Sequence, residues 1–289
     1  MTFNNIHIKS AIKIIFAVLA VIVILFILNV PIGKKIKRQH NLLMVKYQRV
    51  ENPVDIASIN SRYVKPLIYE NIEEIALFDP DIRKQKFIEL LLPAILVTKY
   101  EIYKENKRTI DIWGKLKSNL DITHNDSVFM EELFLKYETK NFAEINQRQQ
   151  VHPNSIILAQ AALETGWGTS RFFLQGNNAY GIWSFSKMEN RMESLSSRGD
   201  IKIYLKKYDH VSESVKDYFQ TIGKSWAFDQ FRKRRSETNN AYELIWYLNR
   251  YSELRNDYVK KIGELMIQNT LTQYDTCEID PEYFIKVKY

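Results

Sequence analysis

From Ile14 to Gly33 the chain reads IIFAVLAVIVILFILNVPIG, twenty residues without a charge. At helical rise such a run covers ~30 Å, the thickness of a bilayer's hydrocarbon core. A helix packed at a protein surface would show a polar face, and this run shows none. The run is long for a signal peptide and no small-x-small cleavage site follows it. Residues 1–33 therefore read as an uncleaved transmembrane anchor, with a cleaved signal segment as the alternative.

The net charge of +7 suggests a nucleic-acid partner until it is located. Lys9, Lys13, Lys34, Lys35, Lys37 and Arg38 lie within the first forty residues, which hold no acid; without those six, 35 basic face 34 acidic residues. A nucleic-acid binder carries its excess on the folded domain, so no nucleic-acid partner is expected. Basic residues flanking an apolar run are instead the habit of membrane insertion. The short run FRKRR, Phe231–Arg235, reads as a solvated helix end. The single cysteine, Cys277, excludes an intramolecular disulfide, and the five histidines are scattered without ligand spacing, so no metal and no cofactor is expected.

Nine glycines and seven prolines in 289 residues favour long helices over many-turned β architecture. The expected fold class is mainly α with a small β-hairpin lobe. Residues 34–78 read as a polar juxtamembrane stalk. Residues 79–150 read as a helical extension, starting where Asp79 caps Pro80 at the first helical position. Pro93 is expected to kink that helix or split it in two, and a further amphipathic helix is expected near Ser127. Residues 151–275 form the main domain: a helix from Asn154 or Ser155 to Gly166, a hairpin between Asn190 and Tyr208 with its turn at Ser196–Asp200, then helices from Val215 to about Gln268. Residues 276–289 read as a tail.

The most informative stretch is AALETGWGTSRF, Ala161–Phe172. Glu164 sits in the last turn of an apolar helix, sharing a face with Ile157, Gln160 and Ala161. Apolar surroundings and the negative helix end both disfavour its ionised form. A carboxylic acid that keeps its proton near neutral pH can protonate a leaving oxygen, which is what glycosidic cleavage requires. Gly166 and Gly168 allow a sharp turn and the approach of a bulky polymer. Trp167 and Trp183 offer flat faces for sugar rings, and TSRFFLQGNNAYGIWSF suits a groove that bonds hydroxyls and acetamides.

The stretch LAQAALETGWGTSRFFLQGNNAYGIWSF resembles the core motif of the bacterial β-N-acetylglucosaminidases of glycoside hydrolase family 73, and within them the Bax-like branch. The likeness continues in YLKKYDHVSESVKDYF and YSELRNDYVKKIGELMIQN and covers roughly residues 80–275. The resemblance implies a lysozyme-like helical fold and hydrolysis of the GlcNAc-β-1,4-MurNAc bond of peptidoglycan glycan strands. It casts Glu164 as the acid and Tyr251 as a tyrosine near it. Glu193 lies nearest the place of the family's second carboxylate, with Glu189 and Asp200 also open because the hairpin departs from the family pattern. Gln160, Trp167, Asn178, Tyr180, Gly181 and Trp183 are the candidate substrate-binding residues.

Two routes stay open: a second carboxylate activates water with inversion, or the substrate's own acetamide attacks with retention. Two rival readings are a lytic transglycosylase, which shares the lysozyme-like fold and also works with a single acid, and an inert membrane-anchored wall-binding scaffold, against which the intact motif around Glu164 argues. Four basic residues after the anchor and two before it favour, alone, a cytoplasmic C-terminus. The substrate implied by the resemblance places the domain in the periplasm instead, held by a single pass of the inner membrane, or soluble there if the segment is cleaved.

Overall fold

The computed structural model describes residues 40–198 and 201–287. The apolar run 14–33 and Asp200 lie outside the described residues. Among those described, no helix is long and apolar enough to cross a membrane. The chain divides into a smaller unit, residues 1–42 and 285–289, and a larger one, residues 43–284. The described part of the smaller unit belongs to strand β1 (His40–Leu43) and to the strand it pairs with near the end of the chain.

In the larger unit, strands β2 (Lys46–Arg49) and β4 (Leu67–Glu70) pair in parallel, with Tyr47 opposite Ile68. Strand β3 (Tyr63–Val64) is reserved for a partner near the other end of the chain. Residues 43–78 are thus not the juxtamembrane stalk expected from their polarity. Val50, Ile56, Val64, Leu67, Ile68, Tyr69, Ile72 and Ile75 all join the main core. The Tyr69 hydroxyl accepts from the Ala57 amide at 2.9 Å, which gives this buried ring a polar partner. These strands are short and pair in parallel, so no hairpin signal announces them.

Helix α1 (Pro80–Lys117) begins as expected: Asp79 accepts from the Asp81 amide and Pro80 occupies the first turn. It continues through Pro93 without splitting, so of the two outcomes expected there the split does not occur. Every residue from Phe87 to Thr98 is buried, so packing on all sides holds a helix that lacks one backbone donor. The C-terminal half of α1 packs with α2 (His124–Tyr137) and α3 (Phe142–Arg148) around a second core of Ile112, Met130, Leu133, Tyr137 and Ile145.

Helix α4 (Asn154–Thr165) runs through the centre, packed against α1 and the helices that follow. Short α5 (Arg171–Gly176) leads to the hairpin of β5 (Arg191–Arg198) and β6 (Ile201–Lys206), antiparallel with an irregularity between Glu193 and Ser197. Strand β5 continues through Ser196–Arg198, so the expected turn cluster is partly strand. Helix α6 (Val211–Lys224) starts one turn before the expected Val215. Then come α7 (Asp229–Arg235), α8 (Ala241–Leu244) with a 3-10 turn, and α9 (Asn256–Gln268). FRKRR is not a solvated end, because Phe231, Arg232 and Arg235 are buried. Arg232 donates to the carbonyls of Ile222 and Ser225, both at 2.8 Å, closing the end of α6.

The expected tail 276–289 also folds over its described residues, 276–287. A 3-10 turn, Leu271–Thr276, precedes β7 (Glu278–Ile279), which pairs with β3, and β8 (Phe284–Val287) pairs with β1. Asp275 caps α4 from this end: its carboxylate accepts from the Ser155 amide at 2.7 Å and the Ser155 hydroxyl at 2.8 Å. A carboxylate at a helix N-terminus answers both the unpaired amides and the dipole.

Candidate active site

Helix α4 ends at Glu164 and Thr165 because the next three residues all take positive φ: Gly166 at 58°, Trp167 at 60° and Gly168 at 83°. Gly168 is pressed against the core, where an added Cβ would lie 3.0 Å from Phe87 and 3.3 Å from both Ile75 and Phe173. The chain then turns into α5, started by the Ser170 hydroxyl, which accepts from the Phe173 amide at 3.2 Å. The two glycines around the tryptophan thus stop the helix on its acid and fold the following chain back over the core.

The segment after α5 faces that acid. Asn178 accepts from the Ile182 amide at 3.0 Å and donates to the carbonyls of Ile182 and Lys206 at 3.0 and 2.9 Å. The turn places Gly181, at φ 63°, so that an added Cβ would sit 3.7 Å from Oε2 of Glu164. Trp183 then bridges to Leu205 of β6, and the Ser184 amide donates to the Tyr204 carbonyl at 2.8 Å. A cavity of about 420 Å³ opens beside this strand, lined by Tyr180, Gly181, Trp183, Phe185, Glu189 and Tyr251 among others.

Glu164 is exposed by surface area. The half-buried acid expected from the helix pattern therefore needs correction in one respect. The carboxyl stands at an open position, while the protein packed closely around it removes enough water to matter. Burial raises its pKa above the ordinary glutamate value, and a hydrogen bond from Tyr258 opposes that shift. Tyr251 donates its hydroxyl to the Tyr180 carbonyl at 3.1 Å and stacks on Tyr258 with ring centroids 5.6 Å apart. It therefore braces the wall of the cavity, and its proton is already committed.

The structure separates the remaining candidates. Tyr180, Gly181, Trp183 and Tyr251 come together at the cavity. Gln160, expected to bind substrate, is fully buried, and both ends of its amide are bonded within the protein. Asn178, also expected to bind substrate, is 1% exposed and spends its polar atoms on the turn just described. Trp167 packs edge-on against Phe87, with the Lys84 ammonium 5.9 Å above its ring, and does not line the cavity.

Glu193 lies outside the cavity lining, exposed on the hairpin and paired with Lys202 at 2.8 Å. That hydrogen bond to Lys202, more than any other contact, lowers its pKa. Glu189 does line the cavity. It accepts from Ser184 at 2.7 Å and pairs with Lys206 at 3.1 Å; Lys206 also meets Asp217 at 2.9 Å. Burial works against its charge, but Ser184 and Lys206 outweigh it and hold Glu189 below its usual pKa. Glu189 lines the cavity, and Glu164, outside the lining itself, stands next to Gly181, which does line it; the two carboxyl groups are pushed in opposite directions, the usual condition for dividing acid and base roles.

Sequence reasoning passed over Tyr218, Tyr258 and His152, which stand behind Glu164. The signal available was Gln160 lying one helical turn before Glu164, which directs a polar chain into the core.

Residues 139–271 match the family described as mannosyl-glycoprotein endo-beta-N-acetylglucosaminidase. That segment is a glucosaminidase-family domain, and the chain carries a glycoside hydrolase domain. Among curated proteins, the chain is similar to Protein bax of Escherichia coli (strain K12), 32% identical over 99 residues, which are 34% of each chain. It is also similar to exo-glucosaminidase LytG of Bacillus subtilis (strain 168), 30% identical over 135 residues, 44% of this chain and 47% of that one. The chain thus spans less than half the length of either relative. Among solved structures, the catalytic domain of the autolysin Auto from Listeria monocytogenes aligns at 23% identity and TM-score 0.37, covering 57% of this chain and 96% of that one. The glycoside hydrolase domain of FlgJ from Salmonella typhimurium aligns at 17% identity and TM-score 0.35, covering 49% and 97%.

Proposed function

We propose that the protein is a peptidoglycan hydrolase that cleaves the GlcNAc-β-1,4-MurNAc bond, with Glu164 as general acid. The observation that carries this reading is a carboxyl at an open helix end whose proton is favoured by burial, beside an aromatic-walled cavity. Glu164 protonates the glycosidic oxygen as the bond breaks. Trp183 offers its face to a sugar ring, and Gly181 lets the chain come within contact distance of the acid without a side chain in the way. The similarity to an exo-glucosaminidase supports this choice of bond.

Of the carboxylates named from the sequence, Glu189 fits the second role best, because it shares the cavity wall and is held ionised. It either activates water or steadies the positive charge that develops on the sugar. No metal or cofactor enters this scheme. The apolar run 14–33 tethers the domain to the inner membrane in this reading, with the catalytic body on the periplasmic side where the substrate lies.

Digestion of purified sacculi followed by mass spectrometry tests the proposal. Reducing GlcNAc ends are the expected product. Anhydro-MurNAc ends would make the protein a lytic transglycosylase, and binding without any released muropeptide would make it a scaffold.

A further inference from the structure

Behind Glu164 a line of buried hydrogen bonds crosses the core from His152 to Tyr258. Nε2 of His152 lies 2.8 Å from the Tyr218 hydroxyl. That hydroxyl donates to Oε1 of Gln160 at 2.6 Å. Nε2 of Gln160 donates to the Tyr258 hydroxyl at 3.0 Å. Tyr258 stands next to the Glu164 carboxyl, and its hydroxyl opposes the rise in the pKa of that acid. Three elements contribute: His152 just before α4 and Gln160 within it, Tyr218 on α6, and Tyr258 on α9.

The direction of every bond follows from its neighbours. A tyrosine hydroxyl has one proton. Tyr218 gives its own to Gln160, so it accepts from His152, which must carry hydrogen on Nε2. Tyr258 accepts from Gln160, so its single proton is free to point at Glu164. The histidine end is consistent with this. Burial, then Arg235, then Lys99 keep His152 neutral, with one N–H only. Its Nδ1 is buried and makes no hydrogen bond among the described residues. A buried lone pair without a partner is better tolerated than a buried N–H without one, which puts the proton on Nε2. Were the Gln160 amide turned over, every bond would reverse: Tyr258 would donate to Gln160, and Glu164 would lose its donor.

We propose that His152, Tyr218, Gln160 and Tyr258 form a positioning relay, in which the tautomer of a buried histidine fixes the orientation of one amide and so aims a hydroxyl donor at Glu164. The relay rests on the reading of Glu164 as the acid. It touches no substrate. It holds one carboxyl oxygen in a set orientation and limits how far the protein environment raises the pKa of the acid. The titratable groups facing it are Tyr251 beside Tyr258 and Glu164, with Arg235 and Lys99 near His152.

The test uses Tyr218→Phe, Tyr258→Phe and the double variant, which keep the ring pairs Tyr180–Tyr218 and Tyr251–Tyr258. The Glu164 carboxyl is followed by carbon NMR in protein labelled at glutamate, its signal assigned by its loss in Glu164→Gln. Loss of the donor should raise the Glu164 titration midpoint in both single variants, more in Tyr258→Phe. The double variant should match Tyr258→Phe alone, because a relay broken twice is still broken once. On sacculi, kcat should fall about tenfold with KM unchanged, the size of one charge-assisted hydrogen bond.

A second pair guards against misfolding. His152→Gln keeps an N–H donor toward Tyr218 and should retain the original midpoint, whereas His152→Leu should shift it. An unmoved midpoint in Tyr218→Phe and His152→Leu, or strictly additive shifts in the double variant, would overturn the relay. The titration does not depend on turnover. Absence of muropeptide release from the unchanged protein would therefore defeat the proposed function and leave the relay to be judged on its own signal.

Discussion

Gly168→Ala puts the reasoning about the GWG turn at risk. The residue has φ 83°, where a Cβ costs ~1–2 kcal/mol. The added methyl would also stand 3.0 Å from Cδ2 of Phe87, 3.3 Å from Cγ2 of Ile75 and 3.3 Å from Cε1 of Phe173. All three belong to the packed core, so none can swing into solvent, and overpacking of this kind costs ~1–3 kcal/mol. Together the two effects come to about 2–5 kcal/mol, or a fall in Tm of roughly 5–15 °C for a body of this size. Calorimetry on the purified domain, with Gly181→Ala as the control, measures it. At Gly181 the φ is equally unusual, but the nearest atom to a new Cβ is Oε2 of Glu164 at 3.7 Å, an ordinary contact. Its stability cost should be only the backbone part, while its methyl projects beside the acid and raises KM. Equal destabilisation by the two substitutions, or less than ~1 kcal/mol for Gly168→Ala, would refute the claim that this glycine is required by close packing.

Glu164→Gln should lower kcat on sacculi by ~10²–10⁴, the usual contribution of a general acid, with retained binding in a sedimentation assay. Because burial raises the Glu164 pKa, activity should decline only at a pH above the ordinary glutamate range; a decline centred on the model-peptide value of 4.5 would contradict the shift. The same shift means that the native protein loses stability as pH rises from that value through the raised pKa, and urea titrations of Glu164→Gln should show this loss removed. Glu189→Gln should cut kcat more than Glu193→Gln, since only the former lines the cavity; the reverse order would return the second role to the hairpin. Asp275→Ala should cost about 1–3 kcal/mol by uncapping α4, with Asp275→Asn milder, both read by denaturant midpoints.

What could be read from the sequence followed the range of the signal. The Asp79–Pro80 start of α1, the Gly166 stop of α4 and the hairpin after Asn190 rest on neighbours a few residues apart, and each appears where local chemistry puts it. The strands at Lys46–Arg49 and Leu67–Glu70 satisfy each other only through a parallel pairing, and β3 finds its partner more than 200 residues away in β7. Nothing local distinguishes such segments from a polar stalk. The helix is not split at Pro93 for a related reason: the effect of proline is local, but the burial of Phe87–Thr98 that holds the helix together is tertiary. At the site, the place of Glu164 in the last turn of its helix and the upward push on its pKa were legible because both follow from its own helix and neighbours. Gln160 and Asn178 were misplaced because an amide that binds sugar and an amide that ties core to core look alike in one dimension.

That last confusion has a physical meaning for how the site works. An acid at an open helix end is cheap to build and poorly controlled, since solvent and side-chain rotation both compete for its orientation. Here Gly181 leaves one side of the carboxyl clear, whereas on the core side stand Tyr258 and the buried groups behind it. Burial favours the proton and the Tyr258 hydroxyl favours its departure. A group that must give up a proton in one half of a catalytic cycle and recover it in the other is served by such opposed influences better than by either alone. In the proposed mechanism the polar residues hidden behind Glu164 are therefore as much a part of its chemistry as the cavity wall beyond Gly181.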